Sequence, residues 1–253
     1  LEKRIEKEAR PFREAMGKAV DIALSGRMAT SGLMTHLPAD GALAVAHAIT
    51  THAVQPQDVD WFTAVDDLTQ DAGETGAGHL STQEFSAGVF YRYASLNLKQ
   101  LQVNLGLIDN MTSPETSESR RRALEIAKHV FHLLATIVPN AKRQPFAADN
   151  LADFAIVSFS DVPVSLANAF EQPITQARSG GYLVPSEIAL TTYWQRLNQA
   201  YSLTEQAAAF RFDDSPWGAG KQTSKELQWP ENLAVFTTFK DVKHWIAGDG
   251  ILG

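Results

Sequence analysis

The clearest hydrophobic pattern in the 253-residue chain lies near its middle. Apolar residues recur there at spacings of three and four positions, at Leu124, Ala127, Val130, Phe131, Leu134, Ile137 and Val138. This spacing places them on one face of an α-helix, and Ser113 with Pro114 provides a start because proline is tolerated at the first helical position. We therefore predict an amphipathic helix whose apolar face packs on a core.

Other segments show the patterns of strands and shorter helices. Runs rich in β-branched and aromatic residues predict strands in GVFYRYASLNL (88–98), DFAIVSFSD (153–161) and AAAFRF (207–212). VDIALSGRMATSG (20–32) and GALAVAHAITTHAV (41–54) have the texture of strands and turns, although the second also suits a short buried helix. Further helices are predicted at 163–171, 186–200 and 236–248. This order of elements indicates an α+β protein with a few antiparallel strands.

Residues 55–85 have an unusual composition. Two semi-regular arms flank the Gly-rich polar loop TQDAGETGAG, which is the pattern of a long β-hairpin projecting from the body. The segment has no Lys or Arg, and its acidic residues are Asp58, Asp60, Asp66, Asp67, Asp71, Glu74 and Glu84. If this hairpin touches nucleic acid, it must do so by stacking, wedging and backbone hydrogen bonds, with the phosphates held elsewhere.

Composition limits the classes of protein to which the chain can belong. With 44% hydrophobic residues the chain can bury a core, and without cysteine it has neither disulfides nor thiolate chemistry. No run approaches the roughly 18 apolar residues of a membrane span. The charged start LEKRIEKEARPF is unlike a secretory signal, so we expect a cytoplasmic protein that makes no membrane contact. The formal charge of −7 is unusual for a protein that binds nucleic acid.

Enzyme motifs are weak in this sequence. GAGKQTS (218–224) lacks the first glycine and the magnesium-binding hydroxyl of a phosphate-binding loop. His129 and His132 have the spacing of metal ligands but suit structural roles, because the set of possible ligands around them is sparse. Asp66 and Asp67 could hold a magnesium ion, although neighbours in a strand point to opposite faces.

Two features favour nucleic acid. Trp61, Phe62 and Thr63 lie near the base of the predicted hairpin, where the rings either stack on bases or fix the hairpin to the body. The second feature is the segment that contains Ser25, Gly26, Arg27, Met28 and Thr30. Its small residues let a backbone come close, Arg27 offers a fork of donors to phosphate, and Met28 is a flexible apolar wedge.

Several motifs in one order carry a resemblance to a known family. VDIALSGRMATSG, AHAITTH, DWFTAVDDL, HLSTQEFSAGVFYRYASLNL, ALEIAKHVFHLLAT and SFSDVPVSLANAF resemble the CasC family, the repeated backbone subunit of the type I-E CRISPR Cascade complex. The resemblance covers most of residues 15–200 and is loose over the last 50 residues.

The resemblance implies an RRM-like (ferredoxin-like) palm, helical fingers and a β-hairpin thumb. Residues 1–18 then correspond to the end of the fingers, 19–54 and 86–253 to the palm, and 55–85 to the thumb. Copies would form a helical filament along CRISPR RNA (crRNA) beside other Cascade subunits, kink the RNA at regular intervals and present it to target DNA. No cofactor, metal or catalysis is implied. The RNA-binding residues would be Ser25, Gly26, Arg27, Met28, Thr30, Trp61, Phe62, Thr63, Leu80 and Arg178.

The matched region starts after several pieces of the family pattern. We expect the first palm strand, a basic RNA-binding loop and most of the fingers to be absent from this chain, which would expose a sheet edge. Two other functions remain open from the residues alone. One is a metal-dependent RNase of a related CRISPR effector that uses Asp66 or Asp67, and the other is a protein-interaction module whose aromatic hairpin binds a partner protein.

Overall fold

The computed structural model describes residues 19–28, 39–63, 79–138, 147–177, 180–203, 205–212 and 233–251. In chain order its elements are α1 (Val20–Ser25), β1 (Leu43–Val45), β2 (Ile49–Thr50), β3 (Gln57–Thr63), β4 (His79–Phe85), β5 (Phe90–Tyr91), β6 (Ala94–Leu96), α2 (Leu98–Asn104), α3 (Ser117–Thr136), β7 (Phe154–Phe159), a 3₁₀ helix (Ala167–Phe170), α4 (Leu183–Tyr201), β8 (Gln206–Arg211), β9 (Leu233–Phe236) and α5 (Phe239–Ala247). The predicted α+β class is confirmed.

A three-stranded sheet holds most of the core. Its order is β7-β8-β9, with β8 antiparallel to β7 and parallel to β9. Strand β8 is buried from Ala207 to Arg211 because helices cover both of its faces. Ala207 and Ala209 pack with Trp194 of α4, while Ala208 and Phe210 pack with Trp245 of α5. The strict alternation follows from the two-residue period of a strand, and the small alanines let both helices approach the sheet.

Helix α3 confirms the main prediction from the hydrophobic pattern. Leu124 and Val130 are buried, and Ala127 and Phe131 pack beneath the sheet beside α5. The helix begins at Ser117, three residues after Pro114, because Thr116 caps it in a reciprocal capping box with Ser119. At its other end the helix stops at Thr136, so that Ile137 of the predicted apolar stripe is 57% exposed.

Two ion pairs and one arginine tie α3 to the rest of the molecule. Arg120 donates from Nε and Nη2 to the carboxylate of Asp249 at 2.6 and 2.7 Å, and from Nη1 to Glu115 at 3.0 Å. These hydrogen bonds raise the pKa of Arg120 above its usual range. Arg92 donates to the carbonyl oxygens of Leu134 and Ile137, which are among the last carbonyls that an α-helix leaves without an internal partner.

A two-stranded ribbon runs from β1 and β6 through β2 and β5. Leu43 pairs with Leu96 and Val45 with Ala94, whereas Ile49 pairs with Tyr91, so three residues (46–48) lie opposite two (92–93). This is a β-bulge, which bends a strand and increases its twist. The two aromatic residues of β5 lie on opposite faces, as successive residues of a strand do. Tyr91 packs into the core and accepts a hydrogen bond from the amide of Leu166, and Phe90 is 59% exposed.

Two predictions of local structure were wrong, and one helix has no counterpart among the predictions. VDIALS has the texture of a strand and turn but forms α1, whose Ala23 is fully buried against Leu101 of α2. Helix α2 itself was not predicted. Phe236 was placed in the closing helix but ends strand β9, and α5 begins only after Thr238, whose side chain accepts from the amide of Asp241. Among the helices that the structure describes, none combines the length and apolar character that a bilayer crossing demands.

Candidate nucleic-acid interface

The segment Ser25 to Met28 is a sharp turn out of α1. Gly26 has φ +78°, and a Cβ at this position would lie 2.7 Å from the carbonyl oxygen of Ala39 and from the amide nitrogen of Gly41. Only glycine fits there, since both atoms belong to the backbone. Arg27 and Ala39 then exchange two backbone hydrogen bonds of 2.8 and 3.1 Å, which hold these two residues side by side.

The side chains of this turn differ in what they offer a ligand. Met28 is 88% exposed, which makes it the most exposed large apolar residue in the described part of the chain. Arg27 is half-buried, and the hydroxyl of Ser25 donates to the carbonyl oxygen of Asp21 at 2.6 Å. Thr30, predicted to act with them, lies outside the described residues. The turn therefore presents a flexible apolar side chain beside close-packed backbone.

Strands β3 and β4 form the two arms of a β-hairpin in the segment where the sequence predicts one. Their register is regular from Gln57 opposite Phe85 to Thr63 opposite His79. It places Trp61 opposite Ser81 and Phe62 opposite Leu80. Four of the predicted RNA-binding residues therefore lie at the end of the strands away from the body, namely Trp61, Phe62, Thr63 and Leu80.

One face of this hairpin carries negative charge. Asp58 lies opposite Glu84, and Asp60 lies opposite Thr82, whose hydroxyl donates to the Asp60 carboxylate at 2.7 Å. All four of these residues are exposed. Like charges placed directly opposite each other destabilise a strand pair and repel phosphate. This face of the hairpin is therefore unsuited to gripping a phosphate backbone, as expected from the lack of Lys and Arg.

A cluster that the sequence did not reveal joins the hairpin to the body. His52 is 7% exposed, and its ring stacks on Tyr182 with centroids 3.7 Å apart and planes 12° from parallel. The amide of Val89 donates to Nε2 of His52 at 3.2 Å. Next to it, the hydroxyl oxygens of Thr51 and Ser186 lie 2.8 Å apart in a buried hydrogen bond. We call these five residues the hairpin joint.

The predicted RNA-binding residues fall into two groups on different parts of the fold. Arg27 bridges to Ala39 just before β1, whereas Trp61 and Phe62 lie near the far end of β3. The first group lies on the turn after α1 and the second on the hairpin beyond the hairpin joint. Arg178, the last predicted residue, lies outside the described residues.

The structure gives no support to a metal centre among the described residues. Within those residues, no three His, Asp or Glu side chains come together in a way that would hold a metal ion. The rings of His129 and His132 are 6.4 Å apart, and His132 lies 5.8 Å from the ring of Phe239 at the start of α5. His132 packs against α5, whereas His129 is exposed. Asp66 and Asp67, the candidates for a nuclease site, lie outside the described residues.

The chain was compared with protein-family models, with curated proteins and with solved structures. The sequence model of a family described as "CT1975-like protein" matches residues 2–236. A solved chain of a "CRISPR RNA-guided surveillance complex, pre-nicking" superimposes with a TM-score of 0.69 at 23% identity, over 92% of this chain and 56% of that chain. A chain of a "CRISPR RNA-guided surveillance complex" gives 0.68 at 24% identity, over 98% of this chain and 85% of that chain. Curated protein sequences gave no match.

These comparisons establish a family and a fold. The chain spans little more than half the length of the first of the two solved chains, at 56%. At 23% and 24% identity, the likeness shows that the fold is shared and leaves function to be argued from the site.

Proposed function

This chain belongs to the family of CT1975-like proteins, and from that premise we propose that it is a non-catalytic backbone subunit of a type I-E CRISPR interference complex. Copies of the chain polymerise along crRNA, kink it at regular intervals and present it for pairing with target DNA. The observation that carries the proposal is the fold likeness over 98% of the chain to a chain of a CRISPR RNA-guided surveillance complex.

The arrangement of the candidate residues favours a filament over a single binding pocket. Met28 lies on the turn after α1, whereas Trp61 and Phe62 lie on the hairpin beyond the hairpin joint, so the two groups belong to different parts of the fold. In a filament, the hairpin of one copy reaches the turn of the next, and each RNA segment lies between a wedge from one subunit and stacking rings from its neighbour. The second copy thus completes the site.

The proposal assigns different tasks to the turn and to the hairpin. The hairpin, with its acidic face, acts on bases by stacking and wedging, which does not depend on sequence. The turn at Gly26 lets the RNA backbone approach the protein closely, with Arg27 beside it and Met28 projecting into solvent. Sequence recognition is left to base pairing between the guide and the target strand.

Replacing Met28 and Trp61 together by alanine should weaken RNA binding by roughly 5- to 150-fold, because stacking on an aromatic ring contributes about 1–3 kcal/mol per base. The loss should be equal for two single-stranded RNAs of unrelated sequence. Fluorescence anisotropy with labelled RNA gives both dissociation constants.

A matched control for this experiment is Met111→Ala, since Met111 is another exposed methionine, at 42%, in a turn after α2. It should leave the RNA affinity unchanged. Equal affinities for the parent and for the Met28→Ala, Trp61→Ala variant would remove the assignment of these residues. Cleavage of the RNA in the presence of magnesium, lost in Asp67→Ala, would replace the proposal by an RNase.

A further inference from the structure

The ladder of the ribbon is interrupted between the body and the hairpin. The last pair of the body is Thr50 with Phe90, and the first pair of the hairpin is Gln57 with Phe85. Six residues (51–56) therefore lie opposite four (86–89), so the two strands cannot continue in register. The hairpin meets the body through this irregular stretch, and an isolated two-stranded ribbon has little rigidity of its own.

His52 takes the place of a ladder carbonyl within this gap. The amide of Thr51 still donates to the carbonyl oxygen of Val89 at 2.9 Å, but the amide of Val89 donates to Nε2 of His52 at 3.2 Å. An Nε2 that accepts carries no hydrogen, so the neutral ring holds its hydrogen on Nδ1. Nδ1 lies 2.9 Å from the carbonyl oxygen of Ala53, which accepts that hydrogen. Both ring nitrogens are thereby bonded to the two strands of the gap.

The same ring is held from the body by helix α4. Tyr182, the residue before the helix, stacks on His52, and Ser186 one turn later bonds both the carbonyl oxygen of Tyr182 and the hydroxyl of Thr51. The amide of Ile174 donates to the carbonyl oxygen of Thr51 at 3.0 Å. Thr51, His52 and Ser186 are all buried, with exposures of 3%, 7% and 4%. One imidazole therefore connects both strands at the hairpin's root to a helix of the core.

We propose that His52 is a positioning residue that fixes the direction in which the hairpin leaves the body, and through it the position of the hairpin on RNA. The second half of this inference rests on the function proposed above. The His52 ring sets the angle between hairpin and body in two ways. Its stacking on Tyr182 fixes the plane of the ring, and its hydrogen bond with the amide of Val89 fixes the rotation of the ring within that plane.

The orientation of the hairpin is measurable directly, since the chain contains no native cysteine. Nitroxides at Asp58→Cys on the hairpin and Gln195→Cys on α4, both exposed positions, give a distance distribution by pulsed electron double resonance. The parent should show one narrow distance without RNA. His52→Phe, which keeps a ring but removes the acceptor for Val89, should broaden the distribution into several orientations.

Three further variants separate positioning from a loss of packing. His52→Gln restores an acceptor near the place of Nε2 and should recover a narrow distribution in part. Tyr182→Phe keeps the stacking ring and should match the parent. Gly88→Ala leaves His52 in place but sets a Cβ 3.3 Å from its Nε2. It should therefore broaden the distribution less than His52→Phe does.

RNA affinity should follow the distance measurement quantitatively. If only a fraction of molecules holds the competent orientation, the apparent Kd rises by the inverse of that fraction, so a population of about 10–30% weakens binding roughly three- to tenfold. Saturating RNA should return His52→Phe to the parent distance. A narrow distribution in His52→Phe, or broadening with no change in Kd, would overturn the proposal. If the parent binds no RNA, the proposed function fails and the distance distributions alone decide the role of His52.

Discussion

Replacing Arg211 by methionine is expected to lower the free energy of unfolding by about 3–5 kcal/mol. Arg211 ends the central strand β8, and its Nε donates to Glu187 of α4 at 3.0 Å, where the two side chains are 9% and 5% exposed. Removal of the guanidinium takes away the positive charge that neutralises a carboxylate buried in a medium of low dielectric constant. Glu187 follows Ser186 of the hairpin joint, so the damage should spread to the hairpin.

A double replacement tests the reason for this loss. Glu187→Leu with Arg211→Met removes both charges and should recover most of the lost stability, because a buried ion pair often has little net advantage over an apolar pair. Arg196→Ala removes an exposed arginine from α4, the helix that carries Glu187, and should change the free energy of unfolding by no more than about 0.5 kcal/mol. Urea denaturation followed by circular dichroism gives all the values. A loss in Arg211→Met no greater than that in Arg196→Ala would contradict the account.

Replacing Trp194 by alanine is expected to cost a similar 3–5 kcal/mol, by leaving a cavity in the core. Trp194 is 3% exposed and packs against Ala207, Ala209 and Leu233 of the sheet. Its Nε1 donates to Glu205 at 3.3 Å. Because Tyr182 immediately precedes α4 and Ser186 lies in its first turn, the cavity should also loosen the hairpin joint.

Two comparisons isolate the cavity from the rest of the change. Trp194→Phe fills most of the space but removes a hydrogen-bond donor from the buried Glu205, so it should cost about 1–3 kcal/mol beyond the smaller ring's lost contacts. Tyr201→Ala removes a ring that is 74% exposed at the end of the same helix and should be nearly neutral. If Trp194→Ala unfolds at the same urea concentration as Tyr201→Ala, the described core does not hold the chain together.

The sequence allowed prediction of those elements whose pattern is local and long. Helix α3 is long enough, at 20 residues, to show its apolar stripe, and the hairpin is recognisable because two polar-apolar arms flank a glycine-rich loop. Strand β8 shows no alternation of apolar and polar residues in the sequence, because both of its faces are buried and the run AAAF is uniformly apolar. Its assignment as a strand nevertheless follows from its shortness.

The elements that escaped prediction depend on distant contacts. Helix α1 has six residues, too few for a helical period to differ from a strand's, and its burial depends on Leu101 of α2. Strand β9 exists because β8 offers it a parallel edge. The hairpin joint is invisible in sequence because His52 meets Val89 and Tyr182, which are 37 and 130 positions away. A histidine next to two threonines carries no local signal of that role.

The charge of the chain fits the division of tasks between its segments. The acidic face of the hairpin carries Asp58, Asp60 and Glu84. Contacts with RNA bases are therefore expected on the other parts of the hairpin surface. Electrostatic affinity for RNA depends on how many phosphates are neutralised by Lys and Arg, and these residues lie outside 55–85. We therefore expect a hairpin variant such as Trp61→Ala to lower the affinity for RNA and to change little how that affinity depends on salt concentration.

The most direct test of the central claim is the number of copies bound to RNAs of increasing length. The 253-residue chain is mixed with single-stranded RNAs of unrelated sequence and graded length, and the mass of each complex is measured by sedimentation velocity or mass photometry. If the chain is a filament subunit, the mass of the complex should increase stepwise, by one copy for each added RNA segment of constant length. The Met28→Ala, Trp61→Ala variant should lose the higher steps. A single copy per RNA at every length would contradict the account.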